Sequence, residues 1–293
     1  DQPVKYANAA SVTATHGCAG GIAGQLAAGT IEHASNLKTA RVDSYGTSGY
    51  AGGIVAYVGS KGCVSDSSNL ADVTSYNSYA GGICAINEGK LENNTFRAAQ
   101  SQQTISSGAD SMGVIAAQNS GTIIKCKVTG ETENDLTLQG SGSVIGGIVG
   151  TNTGIVSGCT IDVNYQIVTT SDQGLKIGGA IGKNEWQAAG NETSEASKIR
   201  VSNVRAANFD IVLEGNCACF GGLIGCSSGN GVIADCSVEN LKVTENEASA
   251  KGSCYGGLIG ENASSLQNST VKNIRATISG LYQANITLNA EKQ

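Results

Sequence analysis

Cysteine and histidine are the residue types in this chain best suited to metal binding, redox chemistry or nucleophilic catalysis. The chain of 293 residues holds ten cysteines but only two histidines, His16 and His33. No Cys-x-x-Cys pair stands with a second such pair, or with a histidine pair, at the spacing of a zinc site. We therefore expect no metal and no cofactor. Two interpretations of the cysteines stay open: disulfides of an oxidising compartment, or buried thiols acting as small apolar side chains.

The remaining catalytic residue types are not arranged for a reaction. Asp66 and Asp235 are isolated carboxylates, and neither histidine has a defined serine or cysteine partner. A hydrolytic or transfer reaction needs a nucleophile with its base, paired carboxylates or a metal cluster. The pattern predicts a protein that is not an enzyme.

Charge and hydropathy exclude two further classes of partner. The net charge is −6, and the 18 lysines and arginines are scattered along the chain. A nucleic-acid partner requires a basic patch that neutralises phosphates. No window approaches 18 consecutive apolar residues, the length that a membrane span requires. We expect no nucleic-acid partner and no membrane insertion.

A glycine-rich motif recurs along the chain and must position all these residues. Its best copies read Gly-Gly-Leu-Ile-Gly at 221–225 and 256–260, and eight copies begin 29–43 residues apart. Such a period indicates a solenoid, a propeller or an array. The repeats start near residues 18, 50, 79, 111, 144, 176, 219 and 254.

Each repeat contains short strand patterns and no helical stripe. An Asn-x-Gly turn follows several copies, and then comes a β-branched segment such as residues 121–128. Such segments favour strands, at two or three per repeat. We predict an all-β parallel β-helix (β-solenoid) of about eight coils in a single domain over residues 1–293, with a loop insert near 185–197. A propeller is the alternative, but its blades need hairpins.

Stacking would turn each repeat position into a column. Neighbouring coils lie about 4.8 Å apart, inside the Cα range of a disulfide. Two cysteine pairs therefore become candidate disulfides, Cys126 with Cys159 and Cys219 with Cys254. An asparagine column should form a ladder of amide hydrogen bonds. Its members are Asn87, Asn119, Asn152, Asn184 and Asn262.

The glycine motif itself is interpreted as a strand with apolar residues on both faces. A strand of this kind is usually buried on both sides, either by other parts of the chain or by a partner. The candidate interface column consists of Val149, Ile181, Phe220, Ile224, Tyr255 and Ile259.

Five Asn-x-Ser/Thr sequons would permit N-glycosylation in a secreted eukaryotic protein. Chance alone gives about this number in a chain so rich in Asn, Ser and Thr, so they do not establish it. The candidate sites are Asn93, Asn191, Asn262, Asn268 and Asn285.

The recurring Gly-Gly-Leu-Ile-Gly pentapeptide, with its asparagine and its Cys/Val strand, resembles the GLUG-motif repeats of secreted and surface proteins. The resemblance covers about residues 18–280, and the copies at 52–56, 81–85 and 113–117 depart from it at the last glycine. It implies an extracellular, adhesin-like repeat region with a β-solenoid fold. It carries over no catalytic residue.

Three functions follow as hypotheses. The first is a non-enzymatic extracellular structural or adhesive solenoid that associates with itself through open ends or the apolar column, or with other surface proteins. The second is a carbohydrate-binding surface module, for which Tyr50 and Tyr79 share a column. The third is a polysaccharide lyase or hydrolase of the β-helix class.

Overall fold

The computed structural model describes residues 6–99, 103–109, 111–130, 136–169, 174–186, 199–214, 217–245, 254–278 and 284–288. These residues form an all-β parallel solenoid of about seven turns, close to the predicted eight coils. No helix is present in the described ranges, and hence none there is long and apolar enough to cross a membrane.

The strands are short, and their bounds in chain order are β1 Tyr6–Asn8, β2 Val12–Ala14, β3 Ala19–Gly20, β4 Ala23–Glu32, β5 Ala34–Asn36, β6 Arg41–Ser44, β7 Ala51–Gly52, β8 Val55–Ser65, β9 Ser68–Asn69, β10 Asp72–Ser75, β11 Ala80–Gly81, β12 Cys84–Asn87, β13 Lys90–Glu92, β14 Thr95–Ala98, β15 Thr104–Ser107, β16 Ser111–Gly113, β17 Ala116–Asn119, β18 Thr122–Ile124, β19 Lys127–Gly130, β20 Leu136–Gly140, β21 Val144–Gly146, β22 Val149–Asn152, β23 Ile155–Ser157, β24 Thr160–Asp162, β25 Tyr165–Thr169, β26 Leu175–Gly178, β27 Ile181–Trp186, β28 Ile199–Ser202, β29 Arg205–Glu214, β30 Cys217–Gly221, β31 Ile224–Gly229, β32 Val232–Ala234, β33 Ser237–Glu245, β34 Cys254–Gly256, β35 Ile259–Asn262, β36 Ser265–Gln267, β37 Thr270–Ile278 and β38 Ala284–Leu288.

These strands stack into three sheets that run along the solenoid axis. The eight-stranded sheet follows the order β3-β7-β11-β16-β21-β26-β30-β34, and the other two sheets have 14 and 16 strands. One coil passes through β11, β12, β13, β14 and β15 before it enters β16 of the next coil. The expectation of two or three strands per repeat was therefore wrong, because sharp corners divide each coil into four or five strands.

One of these corners uses the left-handed backbone region in almost every coil. Asn93 (φ 56°) separates β13 from β14, and Lys125 (φ 53°) and Gly158 (φ 65°) occupy the same place in the next two coils. Each turns the chain from the 14-stranded sheet into the 16-stranded sheet. Side chains other than glycine adopt this region at a cost, and asparagine and aspartate tolerate it best. His33, Asp66, Asn203, Asp235 and Asn268 fill the corner elsewhere.

The glycine motif is a corner and not a continuous strand. In the copy at 221–225, β30 ends at Gly221 and β31 begins at Ile224. The chain bends at the two residues between them, so the alternation of an extended strand is interrupted. As a result Leu223 and Ile224 are both fully buried.

The two glycines of the motif allow backbone to approach backbone. A Cβ on the first glycine of the copy at 146–150 would lie 2.1 Å from the carbonyl oxygen of Val149. A Cβ on Gly147 would lie 2.2 Å from the carbonyl oxygen of Gly179 in the next coil. The second glycine also makes room across the core, where a Cβ on Gly82 would meet the Phe96 ring at 2.4 Å. The first glycine is thus set by packing, since no side chain fits there, whereas the buried Val114 occupies the second position in the copy at 113–117.

Neighbouring coils are paired in parallel and mostly in register, so repeat positions do form columns. Val128 lies between Phe96 and Ile161 in the 16-stranded sheet, and all three side chains are buried. Among the described strands, β38 is the exception, because it pairs antiparallel with β37. Register of this kind makes each interior side chain pack on its equivalent one strand spacing away.

The corner geometry generates a prediction for the first glycine. Gly146→Ala should lower the free energy of unfolding by about 1–3 kcal/mol, because the new methyl group would collide with backbone that cannot move aside. The matched control is Gly17→Ala, where a Cβ meets nothing within 4 Å. The control should change stability by less than about 0.5 kcal/mol. Chemical denaturation followed by circular dichroism would compare the two, and equal stabilities would contradict the packing argument.

Candidate functional site

Four of the five asparagines predicted to form a ladder are joined by side-chain hydrogen bonds inside the solenoid. Asn87 Nδ2 donates to Asn119 Oδ1 at 2.7 Å, and Asn119 donates to Asn152 at 2.7 Å. Asn152 donates to Asn184 at 2.8 Å. All four side chains are buried, so each hydrogen bond satisfies a polar group that would be costly to leave unpaired.

The ladder ends differently at its two ends. Before Asn87 the column holds Val58, and Asn87 Oδ1 is buried with no hydrogen-bond partner in the structure. After Asn184 the column continues with Ser227, whose hydroxyl accepts a hydrogen bond from Asn184 Nδ2 at 3.1 Å. Asn262 lies in register with Ser227 but is exposed, and its amide pairs with the backbone of Ser264 instead. Including Asn262 in the amide ladder was therefore wrong, because the shorter serine interrupts the stack.

Two further asparagine ladders were missed by the sequence reasoning. Asn8 donates to Asn36 at 2.8 Å, and Asn36 donates to Asn69 at 3.0 Å. On the outside, Asn273 donates to Asn240 at 2.9 Å and Asn240 donates to Asn208 at 2.8 Å. The three residues of this outer ladder all have positive φ, at 51–54°. Their spacing of 32 and 33 residues was the signal that could have identified them.

The first candidate disulfide is not formed in the structure. Cys126 and Cys159 occupy the same corner of consecutive coils and are both fully buried thiols. Their Sγ atoms lie 3.6 and 3.4 Å from the carbonyl oxygens of Ile124 and Ser157, respectively. The two thiols also contact each other, and this hydrogen bond, followed by burial, raises the pKa of Cys159 well above its ordinary value. These cysteines act as small core side chains.

The second candidate disulfide is likewise present as two thiols. Cys219 and Cys254 are in register on the eight-stranded sheet, with Cys219 buried and Cys254 exposed. Cys219 Sγ lies 3.5 Å from Glu261 Oε2, and Cys226 Sγ lies 3.8 Å from the same oxygen. Nothing in the repeat pattern predicted that Cys226 and Glu261 would lie beside this pair.

The surroundings of the thiols keep them protonated at neutral pH. Burial, followed by the hydrogen bond to Glu261, raises the pKa of Cys219 to about 12. Burial raises the pKa of Cys236 to about 11, and it raises the pKa of Cys84 well above its ordinary value. A thiolate is the reactive form of cysteine, so these positions are poor nucleophiles. No group of three or more His, Cys, Asp or Glu side chains suited to a metal ion occurs in the part of the chain described.

The candidate interface column lies inside the solenoid and is not an outer surface. Val149, Ile181 and Ile224 are fully buried. Phe220 is also buried, while Tyr255 and Ile259 are half-buried and pack against the same core. The prediction of an outward-facing column was wrong, because the bend at the motif turns its third and fourth residues to the same side.

Tyrosines cluster at the corner between the 16-stranded and eight-stranded sheets in two consecutive coils. The rings of Tyr45 and Tyr76 stack with centroids 4.3 Å apart and planes 12° apart, and both are about half exposed. The column partners Tyr50 and Tyr79 are tilted, with centroids 6.1 Å apart. The Tyr45 hydroxyl donates to the Tyr76 hydroxyl at 3.4 Å, and this hydrogen bond raises the pKa of Tyr45.

A groove of about 520 Å³ lies where the predicted insert begins. It is lined by Thr153, Glu185, Trp186, Ser228 and Gly229. Glu185 and Trp186 belong to β27, and Trp186 is buried with the Arg200 guanidinium 4.0 Å from its ring centroid. Glu185 and Trp186 of the predicted insert are therefore strand residues, and residues 187–197 lie outside the described residues.

Three of the five sequons are on the described surface. Asn93 and Asn268 are exposed residues of the left-handed corner, and Asn262 is exposed at the end of β35. Asn285 lies on β38, and Asn191 lies outside the described residues.

Comparison with known proteins identifies one family match. Residues 216–244 match the family model described as "The GLUG motif". This segment contains the corner at Gly221 and the strands on either side of it. No curated protein and no solved structure matches the chain.

The inner ladder generates a prediction with an internal control. Asn119→Ala should lower the free energy of unfolding by about 1–3 kcal/mol, since it removes the two buried side-chain hydrogen bonds that join Asn119 to Asn87 and to Asn152. Asn262→Ala removes an exposed amide with only local bonds and should cost less than about 0.5 kcal/mol. Denaturant unfolding of both variants is the measurement. Equal free energies of unfolding for the two variants would contradict a stabilising ladder.

The thiols generate a second prediction. In the folded protein, iodoacetamide should modify Cys254 well before Cys126 and Cys159, because Cys254 is exposed and the other two are buried. The alkylation rate of Cys219 should keep rising with pH up to its pKa of about 12, since the thiolate fraction controls the rate. Peptide mapping by mass spectrometry resolves the individual sites. Modification of Cys126 in the native state as fast as that of Cys254 would contradict the buried position.

Proposed function

We propose that this chain is a non-enzymatic structural or adhesive β-solenoid that acts outside the cell. In this proposal it forms a stiff rod at the cell surface and associates with copies of itself or with other surface proteins. It needs no cofactor, and its partners include neither nucleic acid nor the membrane interior.

The observation that carries the structural role is the continuous inner ladder from Asn87 to Asn184. Buried amides that bond to their equivalents in the next coil, and also to backbone carbonyl oxygens near them, hold the coils in register. The corner glycines add to this because they admit no side chain. The positions that hold the same residue type from coil to coil therefore serve to stack the coils. This arrangement suits a scaffold.

The solenoid also favours repeated surface contacts. Because the coils are in register, a contact made by one coil is available again about 4.8 Å further along the axis. Contacts repeated in this way reinforce one another, since each later one forms at a high effective concentration. The extracellular location is supported by the resemblance to GLUG-motif repeats.

Sedimentation velocity and electron microscopy of the purified chain at increasing concentration test the proposal. We expect oligomers or fibres that grow with concentration. Asn262→Ala should assemble like the unchanged chain, whereas Asn119→Ala should lose assembly together with stability. Two results together would contradict the proposed role. The folded chain would stay monomeric at high concentration, and crosslinking on intact cells would find no surface-protein partner.

A further inference from the structure

We propose that Cys219 and Cys254 form a reversible redox site, at which low-molecular-weight disulfides oxidise the two thiols to a disulfide between consecutive coils. The new bond joins β30 to β34, which are neighbours in the eight-stranded sheet. This inference goes beyond the structural role proposed above, because it makes the attachment of one coil depend on the redox state of the surroundings.

The first argument is the register of the two strands. Cys219 pairs with Cys254 on adjacent parallel strands, and the rings of the next residues, Phe220 and Tyr255, have centroids 6.4 Å apart. Because Phe220 belongs to the core, the cysteines point to the other face of the sheet. In-register neighbours are about 4.8 Å apart at Cα, which falls within the range that a disulfide spans.

The second argument is a column of side chains on the 14-stranded sheet that closes over the inner thiol. Cys226 is in register with Glu261 in this column. Glu261 Oε2 lies 3.5 Å from Cys219 Sγ and 3.8 Å from Cys226 Sγ. The last glycine of the motif permits this approach, since a Cβ on Gly260 would lie 2.7 Å from the carbonyl oxygen of Phe220. The corner thus holds one thiol against a carboxylate and leaves the thiol of the next coil exposed.

Access to solvent separates this pair from the other pair of stacked cysteines. Cys126 and Cys159 also occupy consecutive coils, and their thiols contact each other. Both are fully buried, so an oxidant in solution reaches neither of them in the folded chain. Cys254, in contrast, is exposed. The two pairs share their stacking and differ in access, and only the exposed pair is open to exchange.

The reaction consists of two thiol–disulfide exchanges. The Cys254 thiolate attacks a low-molecular-weight disulfide, RSSR, and forms a mixed disulfide while one RS⁻ leaves. Cys219 Sγ then attacks the Cys254 sulfur and displaces the second RS⁻, and its proton passes through Glu261 Oε2 to that leaving group. The first RS⁻ takes up the proton that Cys254 has lost. Two protein thiols are oxidised, and one RSSR is reduced to two RSH.

The two cysteines have different roles in this sequence. Burial, followed by the hydrogen bond to Glu261, raises the pKa of Cys219 to about 12, so this thiol reacts poorly with disulfides in solution. Against a mixed disulfide on the neighbouring strand it needs no encounter from solution, and proximity compensates for its small thiolate fraction. Cys254 is therefore the entry site, and Cys219 is the thiol that resolves the mixed disulfide.

The bond fastens a coil that is loosely packed. Most side chains from Glu261 to Asn268 are exposed, and Leu266 is 45% exposed. A coil with few buried contacts opens locally more easily than the core of the stack. A disulfide to the preceding coil restricts the open chain and so favours the closed arrangement.

Oxidation of the reduced full chain with oxidised glutathione tests the site, at about pH 8, near the ordinary pKa of a thiol. Trypsin should then release residues 206–242 linked to residues 252–272, and Cys254 is the only cysteine of the second peptide. Fragmentation in the mass spectrometer should assign its partner as Cys219. Cys126 and Cys159 should stay reduced in the same sample.

Three variants test the roles of the individual thiols. Cys219→Ala should stop the reaction at the glutathione adduct of Cys254. Cys226→Ala removes the other thiol beside Glu261 and should still give the linked peptides. Cys254→Ser should slow the reaction of Cys219 with glutathione about tenfold or more, because the entry site is gone. Circular dichroism checks that each variant is folded.

Limited proteolysis tests the fastening of the coil. The disulfide should slow thermolysin cleavage within residues 254–278 about tenfold or more, and dithiothreitol should restore the original rate. Unchanged cleavage of the oxidised chain would overturn the fastening.

Three results would overturn the redox site itself. These are the absence of linked peptides once Cys254 has reacted, a partner of Cys254 other than Cys219, and oxidation of Cys126 and Cys159 as fast as that of the exposed pair. None of these results depends on self-association, so the redox site and the proposed scaffold role stand or fail separately.

Discussion

The close approach of backbone to backbone at the glycine corner is the constraint on which the rest of this solenoid depends. At Gly146 and Gly221 a single methyl group would lie about 2 Å from a carbonyl oxygen of the same coil. At this corner the chain can therefore bend only where glycine stands at the first position of the motif. Once the bend is fixed, both residues that follow the glycine pair turn inward and fill the core. The period of the motif becomes the period of the coil.

In-register stacking then decides what each side chain can contribute. A buried amide is satisfied when the next coil presents the same amide, as between Asn119 and Asn152. The pattern breaks where the column changes to another residue type. At one end Asn87 lies beside Val58, and its side-chain oxygen has no partner. At the other end the Asn262 side chain is exposed and bonds locally. The same stacking places the Cys126 and Cys159 thiols side by side in the core.

The sequence allowed the solenoid and four members of the inner ladder to be predicted, because both depend on residue identity at a fixed period. The corner at the glycine motif was misread as a strand, since a two-face apolar pattern does not distinguish an extended strand from a bend that turns both residues inward. The left-handed corner escaped notice because His33, Lys125 and Asn203 share a backbone angle and no side-chain chemistry. The stack of Tyr45 on Tyr76 could not be predicted, as it required the register of coils with unequal lengths.

The outside of the solenoid obeys looser rules than the inside. An interior column must repeat nearly the same volume from coil to coil, because each side chain packs on its equivalent. An outer column is free to pass from Tyr76 to Gly108 within one step. The surface can therefore change from coil to coil without disturbing the register of the core.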